Sequence, residues 1–453
     1  MSSNPLSRKM LICYGLGSAA PTLAQEFCGA FLLLFYTELA GLDPVWVGTA
    51  LLFRMVLDAL IDPLVGRWSD RTTNVAGRRR PWVFSGSLPG LMFLVILFAV
   101  PDGRQWFHIV YLAIASTLMA IFFSFASIPH MAMAFEMSDE PKERVRIVGY
   151  RNFVESLCSL MALLSGPLAL GFVGSTYFGR TLSRADCYGL AAGVILVLGS
   201  VTAAIFYRGT REAPCPVQEV QVNLFQSFAE TFRNRLFRTL VLVYCLLVIA
   251  NRTALAQLFL LLEHFHGKSG DATIPLLLSF YAGSLLSMPV WVIVGPLFGR
   301  IQSLLAAIIV WPLMYSALAA IHWTDAGLLA ISFGMGASFS GILAMLGALV
   351  PDAVDADRIQ NGQRREGLHA SVISLTLQAG LGVGYLLTGL ALQFAGYRGS
   401  TSPTPEVVVG LRISTAGFPL ILSIAAALML FCSPFMVRAR KSRYSDRDEG
   451  EGT

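Results

Sequence analysis

The sequence predicts an all-α membrane protein, with twelve transmembrane helices arranged as two pseudo-symmetric six-helix bundles. Three observations carry this expectation. Of the 453 residues, 55% are hydrophobic and only 13% are charged, about half the charged share of an ordinary soluble domain. Apolar runs near or above the ~20 residues that cross a bilayer recur along the whole chain. A short pattern also recurs between the halves. "DPLVGRWSD" closes the second run and "GPLFGRIQS" the eighth, so that Pro63 matches Pro296 at a distance of 233 residues.

The spans follow in order at about 11–40, 45–68, 82–101, 106–136, 147–173, 186–207, 238–263, 274–297, 301–321, 325–350, 368–396 and 410–437. Residues 1–207 make the first bundle, 208–237 a cytoplasmic linker, 238–437 the second bundle and 438–453 a cytoplasmic tail. Arg8-Lys9 precede the first span, which is too long for the apolar core of a cleavable leader and is expected to stay in the protein. In the linker, "REAPCPVQEVQ" is loop chemistry, and "FAETFRNRLF" is expected to form a short amphipathic helix on the membrane surface. Placing both termini in the cytoplasm puts 25 of the 33 Lys and Arg on the inner side, adjoining helix ends included, against 5 in the outer loops. The positive-inside bias therefore sets the orientation, in the inner membrane of the cell. The net charge of +5 reports the same sidedness and not nucleic-acid binding. Seven scattered cysteines without a CxxC are core residues, not a disulfide or metal framework. A single chain is expected to suffice, with the lipid bilayer and a small solute as its partners.

The second span holds the most informative residues. Arg54, Asp58 and Asp62 are spaced i, i+4, i+8 and share one helix face. Carboxylates inside a membrane are costly, so that face cannot point at lipid. Two readings stand side by side. Arg54 and Asp58 could form a structural ion pair. Alternatively, Asp58 and Asp62 form a cation site, since two neighbouring carboxylates repel and a proton or a metal ion relieves the repulsion. The following loop, "GRWSDRTTNVAGRRRPW", combines Gly66 and Gly77 with Asp70, Arg71 and the cluster Arg78, Arg79, Arg80. The glycines permit tight turns and close helix approach. The basic residues serve topology at the least, and Asp70 with the arginines can also act as a cytoplasmic gate.

The run Asp58-x-x-x-Asp62-Pro63-x-x-Gly66, then Asp70-Arg71-Thr72, then Gly77-Arg78-Arg79-Arg80-Pro81-Trp82 resembles the glycoside–pentoside–hexuronide:cation symporters of the major facilitator superfamily, whose best-known members are the melibiose permeases. "YGLGSAAP" at Tyr14, "SIPHMAMAFEMS" from Ser127, "ERVRIVGYRN" and "VPDAVDADRIQNGQRREGLHASV" are similar to further segments of that family, so the resemblance covers essentially the whole chain. It implies the major facilitator fold and solute transport coupled to H⁺ or Na⁺ at Asp58 and Asp62, with the helix 4 hydroxyl Ser124 beside them and Arg151 at the solute. The departures are equally specific. Thr22 and Ser127 stand where the family's two sugar-holding aspartates are expected, and Met131 stands for a tryptophan that stacks on the sugar. Ile61 replaces an asparagine, Gln378 replaces a lysine near the cation site, and the usual arginine is displaced to Arg54. The coupling carboxylates survive while the galactoside clamp does not.

Other polar residues in apolar runs could rebuild that clamp. Gln25 and Glu26 lie one turn beyond Thr22, and Glu26 either binds solute or makes a helix–helix hydrogen bond. His130, after Pro129 at an expected helix break, either titrates or is a satisfied packing residue. Glu155 lies one turn beyond Arg151, and the plain reading is an ion pair between them. Asn251 and Arg252 fall in mid-span and face a cavity or an acid such as Glu26. The acids Asp352, Asp355 and Asp357, with Arg358 and Arg364-Arg365, look like a solvated gate network. No Walker motif and no nucleophile–base–acid set is legible, so neither ATP nor enzymatic chemistry is expected, and no cofactor beyond the coupling ion. The expected function is symport of a sugar or glycoside. A carrier of amphipathic solutes such as lysolipids, or a non-transporting sensor on the same fold, are the alternatives.

Overall fold

The computed structural model describes residues 6–72, 77–138, 141–177, 180–210, 235–361, 366–397 and 403–433. The linker from 211 to 234 with its expected amphipathic helix, the tail, and Arg364-Arg365 lie outside the described residues, as do the side chains of Asp70, Asp352, Asp355, Asp357 and Arg358. Contacts divide the chain into two compact units. Unit 1 comprises Met1–Val220, Lys268–Ile274 and Thr388–Pro403, and unit 2 comprises Gln221–Gly267, Pro275–Leu387 and Thr404–Thr453.

The first half of the chain supplies α1 (Arg8–Leu16), α2 (Ala19–Glu38), α3 (Pro44–Asp70), α4 (Arg80–Leu97), α5 (Gln105–Met137), α6 (Pro141–Leu170) and α7 (Arg184–Gly209). Their boundaries follow local chemistry. Pro44 opens α3 directly after Asp43, where the missing N–H costs nothing. Ser183 and Asp186 form a reciprocal capping box on α7, which satisfies two backbone donors at once. Among the described residues the all-helical expectation has one small exception, an antiparallel pairing of Thr176–Tyr177 with Arg180–Thr181.

The first expected span is two helices, not one, because the chain breaks at Gly17-Ser18. His130 presses on this break and leaves no space for a side chain at Gly17. Conversely, α5 does not break at Pro129 as expected but runs through it to Met137. A single proline removes one backbone donor, and the packing of α5 against α3 and α4 holds the helix together across it. A second correction concerns the loop glycines. Gly77 takes a φ of 107°, the left-handed region that favours glycine. Gly66 is helical, and a side chain there would meet only Ile128, in ordinary contact at 3.8 Å, so no close approach depends on it.

At one end of unit 1, Glu38 closes α2. Its side chain is 1% exposed, accepts a hydrogen bond from the Tyr397 hydroxyl at 2.5 Å and pairs with Arg184 at 3.4 Å. Phe27, Phe31, Phe35, Phe98 and Tyr188 form the aromatic cluster beside it.

The later helices are α8 (Arg235–His264), α9 (Ile274–Phe298), α10 (Arg300–Ala320), α11 (Asp325–Asn361), α12 (Glu366–Phe394) and α13 (Pro405–Phe431). In unit 2, Trp311 and Tyr315 of α10 anchor a large apolar core. One buried polar residue there is well paired: Gln257 of α8 accepts from Ser414 of α13 at 2.5 Å and donates to the Thr253 carbonyl. Small residues seat α9 against α11. Added side chains at Gly283 and Gly336 would overlap the Phe333 and Phe280 carbonyl oxygens, so the two backbones meet directly there, the device by which membrane helices gain packing without a hydrophobic drive. Twelve of the described helices are long and apolar enough to cross a membrane.

Candidate functional site

The candidate ion site begins with α3. Its apolar residues and Pro44 start make a long helix, and the spacing of Arg54, Asp58 and Asp62 places them on one stripe. α5 packs alongside and brings Ser124 to Asp58. The Ser124 hydroxyl donates to Asp58 Oδ1 at 2.6 Å, and both residues are buried. One carboxylate, a hydroxyl from a second helix and a further carboxylate one turn away thus share one region of unit 1. Asp62 is half-buried, with Oδ1 among its enclosed atoms. Arg54 is 2% exposed and close enough to act on the charge of Asp58. Its Nε has no hydrogen-bond partner among the described residues, and no ion pair joins it to Asp58 among the described ones. The structural-pair reading of Arg54 with Asp58, which would have favoured a sensor, therefore lacks its contact.

The residues expected at the solute sit on three helices of unit 1. On α2, every residue from Ala19 to Thr37 is buried except Thr22, Gln25 and Glu26. Thr22 and Glu26 lie one turn apart on the same face, with Gln25 beside them. Glu26 makes no hydrogen bond or ion pair among the described residues, so the helix–helix reading of it finds no partner there. On α5, Ser127 is half-buried and Met131 is exposed. On α6, Arg151 Nε lies 3.1 Å from Glu155 Oε1, as the plain reading of that pair held, and the guanidinium also donates to the Asn152 side chain at 3.4 Å. No described contact joins Glu26, Ser127 and Arg151 directly. Gln378 is half-buried on α12 in unit 2. In the same unit the Arg252 guanidinium lies 5.5 Å from the centre of the Tyr385 ring, a cation–π contact.

His130 is a packing residue. Its Nε2 meets the Tyr14 carbonyl at 2.8 Å, the Tyr14 hydroxyl donates back to the His130 carbonyl at 3.0 Å, and the rings stack at 4.4 Å. The Tyr14 carbonyl also accepts the Gly17 N–H at 3.0 Å, so it serves both the helix end and the imidazole.

At the loop after α3, Asp70 is the last helical residue and Arg71 is exposed. Arg78 is half-buried, Arg79 is buried, and Arg80 opens α4 with its guanidinium 5.9 Å from the Tyr207 ring centre. Trp82 donates its indole N–H to Thr72 Oγ1 at 2.8 Å, which ties the two sides of the loop together.

Two features went unremarked in the sequence: the isolation of the Thr22, Gln25, Glu26 stripe on an otherwise covered helix, and the Glu38, Arg184, Tyr397 cluster. The first had a signal, since three polar residues at i, i+3, i+4 interrupt an apolar run. The second had none, because its members lie far apart at span ends.

Comparison with known proteins agrees with this architecture. The chain is 27% identical to the glucuronide carrier protein homolog of Escherichia coli K12, over 95% of this chain and 93% of that one. It is likewise 27% identical to the putative glycoside/cation symporter YagG of the same organism, over 94% and 91%. In three dimensions it resembles a bacterial homolog of the human lysosomal transporter Spinster, crystallised inward-facing and unoccupied. That likeness has a TM-score of 0.69 at 17% identity and covers 93% of this chain and 95% of that one. The fold is the major facilitator fold, and the protein is a multi-pass inner-membrane transporter of small solutes and not an enzyme. Residues 13–435 match the family described as MFS/sugar transport protein, and with the glycoside and glucuronide relatives this chain belongs to the glycoside–pentoside–hexuronide:cation symporter family.

Proposed function

We propose that this protein carries a sugar or glycoside together with a cation, and that Asp58, Asp62 and Ser124 form the coupling site. The observation that carries the reading is the 2.6 Å hydrogen bond from Ser124 to the buried Asp58 carboxylate, with Asp62 one turn further along α3. Two carboxylates this close in a dry region disfavour full ionisation, and a bound cation relieves the repulsion. Occupancy then follows the cation concentration on the open side, and alternating access converts that gradient into solute accumulation. Ile61 offers no side-chain oxygen beside Asp62, which favours H⁺ over Na⁺ as the coupling ion. The polar stripe of α2 and the Arg151 region supply the solute contacts of unit 1, with Ser127 and Met131 as the remaining lining there. The arginine-rich loop after α3 acts as a gate on the cytoplasmic side, where both termini lie.

Asp58→Asn and Asp62→Asn test the coupling. Each keeps shape but loses the full negative charge. Reconstituted in vesicles, both variants are expected to lose gradient-driven accumulation while still inserting and unfolding near the parent temperature. Accumulation at the parent level in both variants sinks the assignment.

A further inference from the structure

The α2 stripe carries information about the charge of the solute. Polar side chains facing hydrocarbon are costly, and the rest of α2 from Ala19 to Thr37 is covered by protein. Thr22, Gln25 and Glu26 are therefore the residues of α2 left open to a solute. Thr22 and Gln25 can donate and accept, and an ionised Glu26 only accepts.

Among the described residues no cation pairs with Glu26. Arg151 is engaged by Glu155 at 3.1 Å and by Asn152. Arg54 is 2% exposed on α3, on the stripe of Asp58 and Asp62. Ser127 and Met131 add no charge. The solute-facing groups of unit 1 thus present one unbalanced carboxylate with acceptor-rich neighbours. An organic anion placed there meets a like charge in a region of low dielectric, whereas hydroxyl and ammonium groups find acceptors.

We propose that Glu26, with Gln25 and Thr22, makes this carrier selective by charge: it takes neutral or cationic polyhydroxylated solutes and rejects carboxylated ones. The proposal rests on the sugar-symport reading above and narrows it. It sets this chain apart from what the name of one relative, a glucuronide carrier protein homolog, suggests, since a glucuronide is an anion.

A matched series tests it. Methyl glucoside, methyl glucuronide and glucosamine share one ring and differ in the charge of one substituent, and the galactose counterparts form a second set. Calorimetric titration of the purified full chain should show the neutral and amino sugars binding roughly tenfold or more tighter than the uronide. Glu26→Gln should erase that difference, chiefly by improving uronide binding. Gln25→Arg, at an exposed position, provides the second variant should Glu26→Gln not fold, and should also raise uronide affinity. A uronide that binds the parent as tightly as the neutral sugar overturns the charge proposal while leaving sugar transport standing. So does a preference that neither variant changes. Absence of binding by every member of both sets removes the sugar reading itself, and the charge proposal with it.

Discussion

α3 in unit 1 and α9 in unit 2 end on the same Pro-Leu-x-Gly-Arg core, yet they do different work. Counting 233 residues on from Arg54, Asp58 and Asp62 lands on Ser287, Trp291 and Gly295. Each helix reaches its neighbour at these positions. Asp58 meets Ser124 of α5. Trp291 donates its indole N–H to the Ala337 carbonyl of α11 at 2.7 Å, and Ser287 meets Ser340 at 2.7 Å. One copy of the motif carries charge at its interface, and the other carries neutral hydrogen bonds and direct backbone contact. Duplicated helices can thus keep their punctuation while only one retains ion chemistry. The neutral copy is free to serve as rigid packing, and it contains no charged residue between Ile274 and Phe298.

Three substitutions probe this division, in descending order of expected effect. Gly336→Leu should be the most damaging, because any side chain there overlaps the Phe280 carbonyl. A loss of about 3 kcal/mol is expected from such overpacking, read as reduced folded yield and a lower unfolding temperature. Normal stability would mean that α9 and α11 do not depend on backbone contact. Ser124→Ala comes next. It removes a hydrogen bond that stabilises the ionised carboxylate, worth about 1.5–3 kcal/mol, so a coupling proton should bind more tightly and the half-saturating proton concentration should fall roughly tenfold or more while thermal stability changes little. An unchanged cation dependence would detach Ser124 from the ion site. Ser287→Ala should be the mildest, near the ~0.6 kcal/mol typical of a neutral hydrogen bond between membrane helices. If it shifted cation dependence as far as Ser124→Ala, the contrast between the two copies would collapse.

The sequence disclosed what was chemically out of place and concealed what depended on distant neighbours. Asp58 and Asp62 stood out because acids are rare in apolar runs, and their shared face followed from helical spacing alone. The span count was legible for the same reason, since a bilayer demands long apolar segments. The break at Gly17-Ser18 was not legible. It depends on His130, which lies 116 residues from its partner Tyr14. Pro129 misled in the opposite direction: proline disfavours helix locally, but the packing of α5 overrides it. Gly66 and Gly77 read alike as letters, and only the backbone distinguishes a helical glycine from one at a φ of 107°. Thr22, Gln25 and Glu26 were individually visible, but their isolation on a covered helix emerges only when every neighbour is in place.

The Glu38 cluster has a consequence for the order of biosynthesis. Arg184 follows Glu38 by 146 residues and Tyr397 follows it by 359. At roughly 5–20 residues per second, the carboxylate at the end of α2 exists for about 20–70 s before its phenol partner has been made. Arg184 arrives well before that and can neutralise Glu38 first. Tyr397 can seal the carboxylate only once α12 has been synthesised. Closure of this corner of unit 1 is thus a late event in the birth of the chain, and a ribosome-bound intermediate lacking α12 would expose Glu38 to water.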